Sequence, residues 1–347
     1  PEEIVFGANM TTLTFQVSHA IGRLLNPGDT LVVTRLDHDA NISPWLQLAE
    51  DRGCRVRWVE INPQDCTLDL LDFEAAMSEH PRLVAFGYAS NAVGTINPVE
   101  KLTALAHAAG AWVYIDAVQY APHGPIDVQR IGCDFLVCSA YKFFGPHLGV
   151  LYGRYDLLES LPAYRVRPAP ADAPGKFETG TGNFEGMAGL LGALDYFEWL
   201  GYLYGEEYVE LYAEEYSGRR QVFKQAMSAV RSYEYGLSRE MIRMLEGLQG
   251  ARLYGISDLN RLDARVPTVS FTLEGYSPEV VAKHLADKQI NVWNGNFYAL
   301  AVTERLNLEE TGGLVRIGAT HYNTTKEIER LGDALQMLVR GRPAGGA

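Results

Sequence analysis

Cysteine is scarce in this 347-residue chain, and none occurs after residue 138. The four cysteines, Cys54, Cys66, Cys133 and Cys138, lack the paired spacing of metal ligands. So small a number argues against a disulfide framework and favours a reducing compartment, so we expect a cytoplasmic protein. The eight histidines are also scattered without metal-like spacing, and no metal site is predicted.

Long apolar runs and an excess of positive charge are missing as well. No apolar run approaches the roughly 20 residues that a membrane-spanning helix needs. Lys and Arg number 30 against 43 Asp and Glu, which gives a net charge of −13. We therefore expect neither a membrane nor a nucleic acid as the main partner. A small anionic ligand is compatible with this charge, because it needs only a local cluster of donors.

The start of the chain shows neither a methionine nor a signal peptide. It opens on Pro1 and runs directly into a strand-like segment, Ile4–Phe6. We therefore expect an N-terminal segment to precede this sequence in the full protein.

The first half of the sequence alternates short, β-branched apolar runs with amphipathic stretches. Helices are predicted over Thr11–Leu25 and over Val99–Ala109, the second of which follows a proline and stops at a glycine. This alternation predicts an α/β fold with a large, mostly parallel sheet covered on both faces. The predicted strands after Ile4–Phe6 are Leu31–Thr34, Val56–Val59, Leu83–Phe86, Trp112–Ile115, Phe135–Cys138 and Gly149–Tyr152.

The second half of the sequence shows a different pattern of predicted helices, strands and loops. Pro162–Gly182 reads as irregular loop, and Phe184–Ser232 as a helical region with a break near Gly201. We expect a large domain over residues 1–200 and a smaller C-terminal α+β domain, with connecting helices, over 201–347. Its predicted strands are Val266–Leu273, Ile290–Trp293 and Leu314–Ile317, and its predicted helices are Pro278–Asp287 and Lys326–Leu338.

Polar residues follow the predicted strands one after another. Open parallel sheets bind ligands beyond the carboxyl ends of their strands. Each residue is ordinary by itself, because a lone Asp there is more often a helix cap and a lone Lys a solvated surface group. As an ordered set they point to one chemistry. The set is His38, Asn91, Asp116, Gln119, Ser139 and Lys142.

The chemistry that this set suits is that of pyridoxal phosphate (PLP). Lys142 follows a buried strand, where desolvation can remove its proton and make it a Schiff-base nucleophile. Asp116 can pair with a protonated pyridine nitrogen and so keep the ring an electron sink. Amides such as Asn91 and Gln119 can hold the ring's 3′ oxygen, and His38 can stack on the ring. In Asn9-Met10-Thr11-Thr12, a turn opens a helix whose first N–H groups and hydroxyls can hold a phosphate.

The chain resembles the class V aminotransferases, and within them the cysteine desulfurase-like branch of fold-type I PLP enzymes. The likeness runs in the family's order from about Ile4 to near Leu338. It is carried by Asp37-His38-Asp39-Ala40-Asn41, Ser90-Asn91-Ala92-Val93-Gly94-Thr95, Asp116-Ala117-Val118-Gln119, Ser139-Ala140-Tyr141-Lys142, Glu178-Thr179-Gly180-Thr181 and Arg316-Ile317-Gly318-Ala319-Thr320-His321-Tyr322-Asn323-Thr324.

The resemblance implies a fold-type I PLP-transferase with PLP as its cofactor, an amino acid as its substrate, and a homodimer with shared active sites. Lys142 would be the Schiff-base lysine, and Arg316 would bind the substrate carboxylate as a bidentate fork, with Asn91 nearby. Thr181 would reach the partner's phosphate across the dimer interface. The other implied cofactor-binding residues are Met10, Thr11 and Ser139 at the phosphate, His38 and Asp116 at the ring, Asn91 and Gln119 at its 3′ oxygen, and Tyr141 beside the lysine.

Two departures from the desulfurases matter. Those enzymes carry a reactive cysteine on a loop between the last strands of the small domain, and in Val292–Ala299 of this chain Tyr298 occupies its place. Without that thiol, persulfide formation by this route has no nucleophile. The desulfurases also place a histidine before the lysine, where Tyr141 is a weaker base at neutral pH.

Several reactions therefore stay open. Aminotransfer, β-elimination of a C–S bond and epimerisation are all compatible with Lys142 and Asp116, and the first two are favoured over persulfide-forming desulfuration. One alternative is a genuine desulfurase activity without the loop cysteine. Another is a non-catalytic binding module with a PLP-enzyme fold, which has no need of the whole set of electron-sink residues.

Overall fold

Seven strands of the first half pair into one sheet. The structure is a computed structural model and describes residues 1–341. The strands are β1 (Ile4–Gly7), β2 (Thr30–Thr34), β3 (Arg55–Val59), β4 (Leu83–Gly87), β5 (Trp112–Asp116), β6 (Phe135–Ser139) and β7 (Gly149–Gly153). Their order is β1-β7-β6-β5-β4-β2-β3. The five strands from β3 to β6 run parallel, and β7 is antiparallel to both of its neighbours. The predicted seven-stranded, mostly parallel sheet is confirmed.

Helices cover both faces of this sheet. They are α1 (Met10–Gly22), α2 (Ser43–Arg52), α3 (Leu70–Met77), α4 (Val99–Ala108), α5 (Val128–Ile131) and α6 (Tyr155–Ser160). Every residue of β2 and β4 is buried, as expected of strands covered on two sides. One core lies between the sheet and α3 with α4, and a second core lies between the sheet and α1 with α2.

The second half contains two long helices and a smaller sheet. The helices are α7 (Phe184–Tyr204), α8 (Val209–Tyr212), α9 (Gly218–Glu246), α10 (Pro278–Asp287), α11 (Leu300–Arg305) and α12 (Thr325–Arg340). The strands are β8 (Ala251–Tyr254), β9 (Thr268–Leu273), β10 (Trp293–Gly295) and β11 (Leu314–Gly318). They pair antiparallel in the order β10-β11-β9-β8, and α9, α10 and α12 pack with them around a separate core.

The break predicted near Gly201 is wrong, because α7 continues through that residue. A Cβ atom at Gly201 would lie 2.5 Å from the backbone oxygen of Val222 in α9. The glycine therefore allows two helices to approach closely instead of ending one of them. The interruption falls at 205–217, and α9 then extends beyond Ser232 to Glu246.

The edge strands of the small sheet also differ from the prediction. β10 begins at Trp293, where the apolar run Ile290–Trp293 was expected to end, since its pairing with β11 sets its position. β8 was not predicted, because this edge strand carries the exposed Arg252 within a four-residue run. Helices α2 and α3 were not predicted either.

The two sheets meet at the loop that follows β4. Val266 N donates to Gly94 O at 2.9 Å, and Ile96 N donates to Ala264 O at 2.9 Å. The proposed domain division at residue 200 stays a prediction and falls within the last turn of α7; its end at 347 lies outside the described residues. Among residues 1–341, no helix combines the length and the apolar character that a membrane crossing requires.

Candidate active site

A cavity of about 230 Å³ lies at the carboxyl ends of the parallel strands. β4, β5 and β6 direct polar residues into it, and the small sheet closes one side. All predicted site residues line this cavity except Thr181, which is exposed and lies outside it. The residues brought together are Met10, Thr11, His38, Asn91, Asp116, Gln119, Ser139, Tyr141, Lys142 and Arg316.

Asp116 is the last residue of β5 and the acidic residue of the cavity. Its Oδ1 accepts a hydrogen bond from Val118 N at 2.8 Å, and among the described residues no donor reaches Oδ2. Burial raises the pKa of Asp116 to about 6, against the opposing effects of the Val118 amide and the Lys142 charge. The carboxylate is thus ready to accept a hydrogen bond from a ligand.

Lys142 lies in a short 3₁₀ turn, Ala140–Phe143, directly after β6. Lys142 is an exposed residue that lines the cavity, and neighbouring residues partly bury its amine. This burial and the charge of Arg316 lower the pKa of Lys142, and Asp116 opposes them. Within residues 1–341, no carboxylate lies within ion-pair distance of the Lys142 amine. A lysine with a lowered pKa and no counter-ion is a potential nucleophile and base.

His38 follows β2 and is held as a neutral ring. Its Nδ1 accepts a hydrogen bond from Ala40 N at 3.0 Å. Burial and the nearby charges of Lys142 and Arg316 lower the pKa of His38 to about 4. An uncharged imidazole against the cavity can stack on a flat ring without adding a third positive charge.

The N-terminus of α1 points at the opposite end of the cavity. Asn9 caps this helix through its Oδ1, which accepts from Thr12 N at 2.9 Å. Ser139 Oγ accepts from Met10 N at 2.9 Å, which ties the helix to the end of β6. The first turn contains no acidic residue, so the helix end and the hydroxyl of Thr11 suit an anion such as phosphate.

Two side-chain amides face the cavity from the large domain. Asn91 Nδ2 donates to Phe297 O at 2.8 Å, while Asn91 Oδ1 is buried without a hydrogen-bond partner in the described chain. Gln119 Nε2 donates to Thr268 Oγ1 at 3.0 Å. Both amides therefore connect the large domain to the small one, and the free oxygen of Asn91 is available to a donor on a ligand.

Arg316 brings a buried positive charge from β11. Its Nη1 donates to Asn91 O at 2.8 Å, and its guanidinium lies 4.5 Å from the centre of the Phe297 ring. Burial lowers the pKa of Arg316 to about 10. In the described part of the chain no acidic side chain pairs with it, so an anionic ligand would supply the missing counter-charge.

Three further residues in or beside the cavity were not predicted as site residues. Phe297 and Tyr298 lie on the loop after β10, and Tyr298 stacks on His38 with 5.6 Å between ring centres. Asp37 is buried, and its Oδ1 accepts from Gly87 N at 2.5 Å. Burial raises the pKa of Asp37 well above its usual range, although the Gly87 amide opposes this. The sequence signal that could have indicated Asp37 is its position directly before the predicted site residue His38.

The side chains present fit PLP. Asn91 Oδ1 lacks a donor, Asp116 Oδ2 lacks a donor, and Arg316 lacks an anion. The start of α1 offers the amide and hydroxyl of Thr11 to a phosphate, and Lys142 offers an amine to an aldehyde. These unmet requirements match a cofactor with a phosphate, a ring nitrogen and a carbonyl carbon, together with a carboxylate substrate.

Comparisons with known proteins agree with this geometry. The aminotransferase class-V family model matches residues 1–219 and 220–331. A cysteine desulfurase of Synechococcus elongatus is 33% identical over 98% of this chain and 51% of its own length. A cysteine desulfurase of Pectobacterium atrosepticum is 33% identical over 98% of this chain and 78% of its own length. The chain thus spans about half of the first relative and over three quarters of the second.

Solved structures show the same fold. A cysteine desulfurase from Thermococcus onnurineus has a TM-score of 0.83 and 28% identity, over 98% of this chain and 80% of that one. A cysteine desulfurase from Escherichia coli has a TM-score of 0.81 and 25% identity, over 98% of this chain and 79% of that one. The chain therefore belongs to the class-V aminotransferase family of PLP-dependent enzymes and resembles its cysteine desulfurases.

Proposed function

We propose that this protein binds PLP through Lys142 and acts on an amino acid by aminotransfer or by C–S β-lyase chemistry. The observation that carries this proposal is the meeting of three groups in one cavity: Lys142 and Arg316 without acidic partners, and Asp116 with a free carboxylate oxygen. A fold that needed these groups only for stability would pair them. Epimerisation is compatible with the same groups, and no feature of the cavity favours it.

Arg316, Lys142 and Asp116 would have separate roles in the reaction. Arg316 binds the substrate carboxylate, and its cation–π contact with Phe297 fixes the plane of the guanidinium. Lys142 has a lowered pKa, so its amine is available to take up and return the proton at the substrate Cα. Bound PLP supplies an electron sink for the negative charge that develops at Cα. Ionised Asp116 would support this sink by pairing with the ring nitrogen.

Persulfide chemistry is disfavoured by the position of the thiols. Among the residues that line the cavity there is no cysteine, and the loop after β10 presents Tyr298. Cys138 lies in β6, where burial raises its pKa to about 12. Cys133 is also buried, and burial raises its pKa to about 12. Such thiols are almost wholly protonated at neutral pH and are poor nucleophiles.

Two other functions compete with this proposal. Genuine cysteine desulfurase activity is favoured by the names of the relatives, although it would need an acceptor other than a loop thiol. A non-catalytic binding module would explain the missing loop cysteine, but it leaves the lowered pKa of Lys142 without a purpose. Thr181 belongs to the proposal of a homodimer with shared active sites. A cytoplasmic location is proposed from the cysteine content alone.

The first test is cofactor attachment. The protein is mixed with PLP, and the visible absorbance of the lysine-bound cofactor is recorded for the wild type and for Lys142→Ala. Lys101→Ala, which removes a half-exposed lysine from α4, is the matched control. We expect the band in the wild type and the control and its loss in Lys142→Ala. A band of equal size in Lys142→Ala contradicts the assignment.

The second test is turnover of L-cysteine by the PLP-loaded protein, with alanine, sulfide, pyruvate and ammonia followed together. Pyruvate, ammonia and sulfide without alanine support β-elimination. Alanine with sulfide or persulfide overturns our reasoning from the thiols and restores the desulfurase function. If none of these products forms, aminotransfer is tested with amino donors and keto-acid acceptors, and a cofactor band that no amino acid changes favours the binding module.

A further inference from the structure

Three large aromatic side chains line the same cavity on its open side. Tyr141, Trp293 and Tyr298 are 41%, 62% and 71% exposed, whereas Phe297 beneath them is buried. We call these three residues the aromatic collar. Single exposed aromatics are common on protein surfaces, but several that converge on one charged cavity indicate a binding surface.

The backbone of the loop after β10 fixes one member of the collar, Tyr298, in place. Phe297 and Tyr298 have φ angles of 58° and 60°, a left-handed conformation that is unfavourable for bulky side chains. Such conformations persist only where the surroundings hold them. Asp39 N donates to Tyr298 O at 2.6 Å, and Asn91 Nδ2 donates to Phe297 O at 2.8 Å. The large domain thus holds the carbonyl groups of two consecutive loop residues, Phe297 and Tyr298.

The rings themselves are also supported. Tyr298 stacks on His38 at 5.6 Å with an interplanar angle of 20°. Tyr141 stacks on His147 at 4.9 Å with an interplanar angle of 23°. Tyr141 and Tyr298 therefore each have one supported face and a large remaining surface, and these two rings have little rotamer freedom left to lose when a ligand binds.

The charges in the cavity limit which side chain can occupy the collar. Asp116 is the acidic residue of the lining and is buried at the end of β5, so a positively charged substrate side chain would have no partner among the lining residues at the open side. A small polar side chain would leave the collar in water. An apolar side chain that covers the collar contributes favourable binding free energy by removing apolar surface from water. An aromatic side chain contributes more, because its ring can also contact the rings of the collar.

We infer that the aromatic collar selects amino acids with apolar side chains and prefers aromatic ones. This inference rests on the proposed function, because Arg316 must hold the substrate's carboxylate, and the cofactor carried by Lys142 would receive its amine, while its side chain points to the collar. It adds to that function the class of substrate.

The test uses carboxylates that lack an amine and so cannot react. Calorimetric titrations of the PLP-loaded full chain compare propanoate with 3-phenylpropanoate, and the cofactor absorbance is recorded in the same samples. We expect 3-phenylpropanoate to bind roughly 10- to 100-fold more tightly than propanoate. The ratio should fall several-fold in Tyr298→Ala and in Trp293→Ala.

Tyr202→Ala is the matched control, because Tyr202 is 70% exposed on α7 and does not line the cavity. It should keep the wild-type ratio, and Tyr298→Phe, which keeps the ring, should keep most of it. Equal affinities for the two carboxylates, or an equal loss of preference in Tyr202→Ala, overturn the inference. A protein that takes up no PLP refutes the proposed function separately, and the same titrations on that protein still decide the role of the collar.

Discussion

Replacing Asp116 by Asn should stabilise the cofactor-free protein while weakening its response to PLP. Burial is the main cause that raises the pKa of Asp116, and the Val118 amide offsets it only in part. A raised pKa means that the folded protein disfavours the ionised carboxylate. Asn keeps an oxygen for Val118 N and has no charge to bury, so the substitution removes this cost.

The size of the effect follows from the pKa. A change from the ordinary 3.8 to about 6 corresponds to about 3 kcal/mol at neutral pH, since one pKa unit is worth about 1.4 kcal/mol. The amide is itself polar and buried, so we expect a gain of about 1–3 kcal/mol. In a chain of this length, the gain raises the melting temperature by roughly 1–4 °C.

The pH dependence has a definite sign. Below about pH 4 the carboxyl group is protonated in both states and the cost is absent. The cost develops between about pH 4 and pH 6 and is complete above the raised pKa of about 6. The advantage of Asp116→Asn should therefore be larger at about pH 8 than at about pH 4.5.

Thermal unfolding of the cofactor-free proteins at the two pH values is the assay. Asp134→Asn is the matched control, because Asp134 is equally buried but pairs with Arg154 at 3.1 Å and with His107 at 2.9 Å. The same substitution there should destabilise the protein by about 1–3 kcal/mol. A destabilised Asp116→Asn protein at about pH 8, or a gain that does not change with pH, would refute the reasoning.

Three further outcomes are expected. Arg316→Lys should weaken the binding of propanoate to the PLP-loaded protein by roughly tenfold in calorimetry without changing the cofactor absorbance, because lysine lacks the bidentate fork. His38→Phe should leave the pH profile of PLP uptake unchanged between about pH 5 and pH 8, since the pKa of His38 is about 4 and the ring is already neutral; a shifted profile in an absorbance titration contradicts this. Arg265→Met should lower the free energy of unfolding by about 3 kcal/mol or more, because this buried guanidinium donates to the carbonyls of Ile256 and Thr268, and an unchanged free energy in a denaturant titration would show that water replaces it.

The strands that position the site could be predicted from the sequence. Leu83–Phe86 was predicted and β4 ends one residue later, because a short apolar run between an arginine and a glycine is typical of a buried strand. The polar residue that follows such a strand is then placed by topology alone. This is why His38, Asn91, Asp116 and Lys142 could be assigned to one cavity before its geometry was known.

The loop after β10 could not be predicted in the same way. Left-handed backbone is usually signalled by Gly or Asn, and here it falls on Phe297 and Tyr298. The contacts that hold it come from Asp39 and Asn91, which lie more than 200 residues away in the chain. Local sequence carries no sign of such long-range contacts.

Two kinds of charged group can be compared in this chain, one in an ion pair and one in the cavity. In the ion pair of Arg57 with Asp72, the hydrogen bond between them raises the pKa of the arginine, and it lowers that of the aspartate although burial opposes this. In the cavity the signs are reversed, because burial lowers the pKa of Arg316 and raises that of Asp116. The fold neutralises the first kind of charge by itself and leaves the second kind uncompensated. A carboxylate bound to Arg316 and a protonated ring nitrogen bound to Asp116 would compensate both of these charges. Part of the binding affinity would therefore come from charges that the folded chain already carries without partners.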